Sequence, residues 1–531
     1  MAVPAQRTPA QQAQWRLELP DEAATVAFAA QVAKWIRSGD LLTLSGHLGA
    51  GKTTFARALI RHLLRDPALE VPSPTFTLMQ FYEGGAYPIV HADLYRIAQP
   101  DELAELGWEE AAEGALVLVE WPERAGPYLL TDRLDISFTI DPAQDADHRG
   151  VTLTGTGSFA PRLALVRAIH DILGASDWSG AARIPMQGDA STRAYERLQK
   201  ENGQTAILMI SPPRPDGPVL RAGKSYSALA HLAENISAFI AIDEGLRAHG
   251  LSAPEIYAFD REVGVAVLED FGAEGVTDEN GIVFERYAEA AAALAHLHGL
   301  SLPQSLPVTA DVTYYIPTYS VESLIVEVEL LLDWYAPHVA HVSLTSGAKA
   351  TFSNLWRHVL RDVVNAESTW TLRDYHSPNL MWLPQRSGIA RVGVIDFQDC
   401  VIGHPAYDVA SLLQDARIDV PDSTELRLLG HYAHLRQAAT SRQQAAGLAF
   451  DMARFAGAYA VLGAQRATKI LGIFARLDKR DRKPHYLAHL PRIERYLAKD
   501  LAHPLLSELR GWYETHLPSL LASRDAPTPS P

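Results

Sequence analysis

Gly46-His47-Leu48-Gly49-Ala50-Gly51-Lys52-Thr53 lies between the apolar run Leu41-Leu42-Thr43-Leu44 and a helical stretch from Thr54 to Leu64. A strand, a turn of the form G-x-x-x-x-G-K-T and a helix, in that order, make a phosphate loop. The glycines let backbone N–H groups turn inward on phosphate oxygens, Lys52 adds a point charge, and the Thr53 hydroxyl can serve Mg²⁺. Gly46, Gly49, Gly51, Lys52, Thr53 and Thr54 are therefore candidate ATP-binding residues. The surrounding pattern predicts an α/β domain, with strands at 41–45, 75–82, 87–92, 115–120, 134–140 and 151–154 and helices near 22–37, 52–65 and 101–106.

A phosphate loop names a ligand and leaves the reaction open, because catalysis also needs metal-side acids and a group that positions the nucleophile. Three downstream segments can supply these. Ser73-Pro74-Thr75-Phe76-Thr77 is a hydroxyl-rich loop, Asp93 follows the strand Ile89-Val90, and Glu120 ends the strand Leu116-Val117-Leu118-Val119 with Trp121 behind it, an aromatic ring suited to a base. The pieces SGHLGAGKTT, SPTFTL, HADLYR and VEWPER resemble the TsaE family of tRNA threonylcarbamoyladenosine biosynthesis ATPases over essentially all of residues 15–158. That resemblance implies Lys52 on the phosphates, Thr53 and Glu120 on Mg²⁺, Asp93 and the 73–77 loop in ATP hydrolysis, and Trp121 near the base. It also implies TsaB- and TsaD-like partners, with tRNA contacted only indirectly. His47 departs from the small or acidic residue common in the family, and an independent small-molecule kinase is the rival reading.

At 531 residues the chain is too long for one ordinary core. The boundary is expected near 158–162, where Gly155-Thr156-Gly157-Ser158 precedes a helical pattern beginning at Pro161. Beyond it come a helix at 161–173, a strand–turn–strand at 183–210, a helix at 225–249 and a strand at 263–269. Long helices follow at 282–299, 321–335, 352–366 and 445–470, interrupted by short strands near 380–383 and 391–396. This is a small mixed lobe followed by a helical one.

Kinase-type phosphoryl transfer needs a loop over the phosphates, an acid for the acceptor hydroxyl and Asn/Asp ligands for the metal. Gly188-Asp189-Ala190-Ser191-Thr192-Arg193 falls in the first strand–turn–strand, and Glu269-Asp270-Phe271-Gly272 falls where a hinge belongs. Asp374 and Asn379 stand five apart before the strand Leu380–Leu383, and Asp396 ends the next strand, so one hairpin can gather all three around a metal. The segments GDASTRAYER, LEDFG, RDYHSPNL and VIDFQD resemble the aminoglycoside-phosphotransferase-like kinases, a two-lobed α+β protein-kinase-like fold, over residues 162–520. Within them the chain is most similar to the AmgK-like anomeric kinases of N-acetylmuramate and N-acetylglucosamine. The resemblance implies Asp374 as catalytic base, Asn379 and Asp396 on Mg²⁺, Gly188, Ser191 and Arg193 on ATP, and a sugar 1-phosphate product in cell-wall recycling. Two departures are visible: Leu372 stands where the superfamily usually has His, and the strand Ala206–Ile210 lacks the usual phosphate-pairing Lys, for which Arg193 and Lys224 are the substitutes at hand. A pseudokinase scaffold and a kinase for an aminoglycoside, choline or homoserine therefore stay open as alternatives.

A net charge of −16 argues against broad nonspecific binding to nucleic acid or anionic membranes. The local exception is the basic run Lys479-Arg480-Asp481-Arg482-Lys483 with Arg476, Arg492 and Arg495 near it, read as a solvated face or as a contact for an anionic sugar. The first twenty residues lack the apolar core of a secretion signal, and no run reaches the roughly 18 apolar residues of a membrane span. A cytoplasmic location is expected. Cys400 is the single cysteine, expected as a small buried hydrophobe, and residues 521–531 read as a disordered tail.

Overall fold

A computed structural model of the chain describes residues 12–105, 107–186, 193–213, 217–442 and 450–522. The candidates Gly188 and Ser191 and the tail 523–531 lie outside the described residues. The chain divides into two compact units, Met1–Asp177 and Trp178–Pro531.

The first unit is built on β1 (Gln12–Leu19), α1 (Glu22–Val32), β2 (Leu41–Ser45), α2 (Lys52–Leu64), β3 (Met79–Tyr82), β4 (Ile89–Asp93), α3 (Glu102–Glu105), α4 (Trp108–Ala112), β5 (Leu116–Glu120), β6 (Leu134–Thr139), β7 (Arg149–Thr156) and α5 (Phe159–Ala175). Its seven strands lie in the order β1-β7-β6-β2-β5-β4-β3. β2 pairs in parallel with β5 and β6, and β4 with β5, while the outer pairs are antiparallel. Alternation along β5 serves two faces. Leu116 and Leu118 enter one apolar core with Phe28, Phe55 and Leu59, and Val117 and Val119 enter another with Val90, Leu103 and Trp108.

Three expectations for this unit change. β1 was not expected; its burial alternates residue by residue, as an edge strand's does. The extended run expected from residue 75 pairs only from Met79, because Leu78 turns back at φ +64°. The helix expected to open the second part instead closes the first: α5 packs on β1 and β7, and its Arg162 grips Asp40 through two nitrogens, both at 2.8 Å. The apolar face of α5 belongs to this sheet's core through Phe159 and Leu163, so the division falls after Asp177 rather than at 158–162.

The second unit opens with an antiparallel five-stranded sheet in the order Ile256–Asp260, Val265–Glu269, Thr205–Ile210, Ala194–Gln199, Ala182–Met186. A helical lobe follows, whose core centres on the helices Phe284–His298, Val321–Leu330, Ser346–Val364 and Met452–Lys479. The helix expected at 225–249 is two pieces, Tyr226–Leu229 and Ile236–Ala248, each started by its own side-chain cap, Ser225 and Asn235. The helix at 321–335 leaves the α form at Leu331 for one π turn. There Gly472 of the long helix Met452–Lys479 comes so close that a Cβ would lie 2.4 Å from the carbonyl carbon of Leu330. Cys400 is fully buried, as expected. Among the described residues no helix is long and apolar enough to cross a membrane.

Candidate functional sites

In the first unit the phosphate loop joins β2 to α2, with Gly46, Gly49 and Gly51 at φ +136°, +79° and +104°. Gly46 is required twice over: its φ suits only glycine, and a Cβ there would sit 2.5 Å from the carbonyl oxygen of Phe138. The buried Lys52 ammonium donates to the carbonyls of Gly46 (2.8 Å) and His47 (3.0 Å) and lies 3.9 Å from the centre of the Trp121 ring. Burial lowers its pKa, and the charges of Glu120, Asp93 and Glu123 work in the opposite sense.

Thr53 donates to Glu120 Oε2 at 2.9 Å, so the hydroxyl and carboxylate expected on one metal already meet. Asp93 Oδ2 accepts from Ser73 Oγ (2.6 Å) and Thr75 Oγ1 (3.0 Å), which ties the hydroxyl loop to the end of β4. Trp121, at φ +60°, turns its ring to Lys52 and to Tyr95, 5.0 Å between centroids. Thr54 lines a groove with Val26, Arg57 and Arg61.

Two residues of this site had no role assigned from sequence. His91 Nε2 stands 3.0 Å from Glu120 Oε1 in a fully buried contact, and His91 Nδ1 has no partner. Through this contact His91 orients the Glu120 carboxylate. Arg149 reaches back from β7 to the carbonyls of Ala50 (3.0 Å) and Gly49 (3.4 Å), bracing the phosphate loop from behind. Neither is legible in advance, since His91 reads as one more strand residue and Arg149 stands about a hundred positions from its partners.

In the second unit, pairing of Leu380–Trp382 with Val392–Val394 makes the expected hairpin. Asn379 Nδ2 donates to the carbonyl of Asp374 (2.9 Å), and the Asn379 carbonyl accepts from Ile395 N (3.0 Å), so Asp374, Asn379 and Asp396 do come together. Asp396 sits at φ +59° and accepts from Arg193 Nη1 (3.1 Å) and Gln398 Nε2 (2.8 Å). Arg193 thus reaches the site; no bond ties the exposed Lys224 to these three residues. Burial and the neighbouring Asp374 raise the pKa of Asp396, with Arg193 opposing. Burial acts on Asp374 too, but Lys469, His376, Arg373 and Arg466 together hold its carboxyl below the usual range. Two close carboxylates whose charges repel favour a bound cation. Among the described residues no three His, Cys, Asp or Glu side chains form a ready metal cluster.

The loop carrying Asp374 is held by buried acids that sequence reasoning did not find. Asp408 accepts from the backbone N–H groups of Leu372 (2.6 Å) and Arg373 (2.8 Å), and Asp415 from Ser377 N (2.8 Å) and Oγ (2.6 Å). Leu372, in the place of the usual His, is buried. Arg373, at φ +68°, is anchored by Glu327 on Val321–Leu330, which also accepts from Tyr319 and Gln465 and lies 3.3 Å from Lys469.

Comparison with known proteins matches a separate family to each unit. Residues 19–149 match the family Threonylcarbamoyl adenosine biosynthesis protein TsaE, and residues 183–448 match the Phosphotransferase enzyme family. The N-acetylmuramate/N-acetylglucosamine kinase of Caulobacter vibrioides is 37% identical over 362 residues, 65% of this chain and 95% of that protein. Its namesake in Pseudomonas putida is 32% identical over 322 residues, 60% and 84% of the two chains. The tRNA threonylcarbamoyladenosine biosynthesis protein TsaE of Rickettsia felis is 43% identical over 124 residues, 23% of this chain and 72% of that one. The chain therefore belongs to the TsaE family through its first unit and to the phosphotransferase enzyme family through its second, a fusion of two nucleotide-using folds.

Proposed function

We propose that the chain is bifunctional. The first unit hydrolyses ATP in support of threonylcarbamoyl transfer to tRNA adenosine, together with TsaB- and TsaD-like partners. The second phosphorylates the anomeric hydroxyl of N-acetylmuramate and N-acetylglucosamine. The observation that carries the second reading is the gathering of Asp374, Asn379 and Asp396 on one hairpin with Arg193 beside them. Asp374, kept ionised by the surrounding cations, takes the proton of the sugar hydroxyl as its oxygen bonds the γ-phosphorus and the bond to the β-phosphate oxygen breaks. Arg193 supplies the charge for the phosphates that the strand Ala206–Ile210 does not. Asn379 and Asp396 would hold Mg²⁺ here, and Thr53 and Glu120 in the first unit. Bound there, the ion would neutralise charge on the transferring phosphoryl group.

The test is steady-state phosphorylation of N-acetylmuramate, N-acetylglucosamine, kanamycin, choline and homoserine by the purified chain, with product position read by phosphorus NMR. A 1-phosphate from the two amino sugars, lost in Asp374→Asn, is expected. No transfer to any amino sugar would leave a pseudokinase scaffold or another acceptor as the better reading.

A further inference from the structure

The basic residues at the end of the long helix and just beyond it do not share one fate. Lys479 is paired with Asp478 (3.3 Å), Arg480 with Asp481 (2.8 Å), and Arg492 and Arg495 with Asp419 (2.8 and 2.5 Å). Arg482 is exposed to solvent. Arg476 differs from all of these. Among the described residues no carboxylate lies within ion-pair distance of it, its Nε is buried with no hydrogen-bond partner, and its guanidinium lies 5.1 Å from the centre of the Tyr226 ring. The nearest acid acting on it, Asp481, is already held by two nitrogens of Arg480. A partly desolvated cation without a counter-ion is costly to keep, and such groups mark sites where a ligand supplies the missing charge.

Its position says which ligand. Arg466, Lys469 and Arg476 are three and seven residues apart and share one face of the helix. Lys469 and Arg466 act on the carboxylate of Asp374, and Tyr226 feels Lys469, Arg476, Glu327 and Arg373 together. Tyr226 stands on a short helix packed against Val321–Leu330, which carries Glu327. One helix face thus runs from Asp374 past Tyr226 to Arg476; Glu327 offsets Lys469 and Arg373 along it, which leaves Arg476 as the cation at its far end without a carboxylate. Arg476 is about 10 Å along the helix axis from Lys469, the reach of a substituted sugar ring.

We propose that Arg476, backed by the Tyr226 ring and hydroxyl, reads a carboxylate on the acceptor, so that the kinase site distinguishes a sugar acid from its neutral counterpart. The inference rests on the amino-sugar kinase reading and adds the residue that separates its two substrates. The experiment compares kcat/KM of the full chain for N-acetylmuramate, which carries the carboxylate, and N-acetylglucosamine, which does not. Arg476→Met should lower kcat/KM for N-acetylmuramate roughly 10- to 100-fold, mainly through KM. N-acetylglucosamine should stay within about threefold, and Arg476→Lys should recover part of the loss. Equal losses on both sugars would show a structural role and overturn the assignment, as would no loss on either. If the parent chain phosphorylates neither sugar, the amino-sugar reading falls first and this one with it.

Discussion

Glu327→Gln is the sharpest perturbation of the second unit, because it changes one charge and almost no volume. Glu327 is fully buried; one carboxylate oxygen faces Arg373 and Lys469, and the other accepts from the Tyr319 hydroxyl and the Gln465 amide. Burial works to raise its pKa, yet the two cations and these hydrogen bonds outweigh that and hold it below the usual carboxylate value. A glutamine can keep its oxygen toward the cations and turn its NH₂ to the other side, where the Tyr319 hydroxyl can rotate to accept, while the Gln465 amide stays tied to the Leu324 carbonyl. The charge has no such repair. Two buried cations would face each other uncompensated, a loss of about 3–5 kcal/mol. For a unit of this size that is roughly 4–7 °C in the melting transition. Arg373 also shapes the backbone just before Asp374, so phosphoryl transfer should fall as well. Calorimetry of the full chain, parent against variant, measures the first effect and a coupled kinase assay the second. A shift under about 1 kcal/mol with unchanged turnover would mean that Arg373 and Lys469 are hydrated, and the argument from buried charge would fail.

Two further outcomes are expected. Gly46→Ala should abolish nucleotide binding by the first unit and destabilise it, since a Cβ meets the Phe138 carbonyl at 2.5 Å; Gly49→Ala, with open space around it, should cost only the roughly 1 kcal/mol of a left-handed residue, and fluorescence titration with an ATP analogue separates the two. Asp243 is fully buried with both carboxylate oxygens unpartnered, and burial pushes its pKa from 3.8 to about 8. Its folded form stays protonated where the unfolded form has lost the proton, so its contribution is fully present below pH 3.8 and is lost as pH rises toward about 8. The slope is about 1.4 kcal/mol per pH unit, and Asp243→Asn should flatten stability of the second unit across that window in urea melts.

The candidate residues that the fold gathers are legible where their pattern is local. Gly46, Gly51, Lys52 and Thr53 announce themselves by spacing, because a phosphate loop is made of adjacent residues, and Asp93, Glu120 and Asp396 stand at strand ends where periodicity stops. What was not legible depends on partners far along the chain. Glu327 and Lys469 sit within apolar helical stretches, and nothing near either one reveals that it neutralises the other. His91 looks like any strand residue until Glu120 is placed beside it. The division between units is hidden in the sequence for a similar reason: the turn before Phe159 ends a strand, but only packing shows that the following helix returns to the same sheet. Residues 225–249 look like one helix because apolar periodicity runs across the gap between Leu229 and Ile236, while the caps at Ser225 and Asn235 start two.

If one polypeptide holds two nucleotide sites that work independently, each should fill and fail alone. Titration calorimetry of the full chain with a non-hydrolysable ATP analogue and Mg²⁺ tests it most directly. Two equivalents should bind, falling to one in Lys52→Ala and to one in Asp396→Asn, with the remaining site's affinity unchanged in each. A single equivalent in the parent chain, or loss of both in either variant, would contradict it.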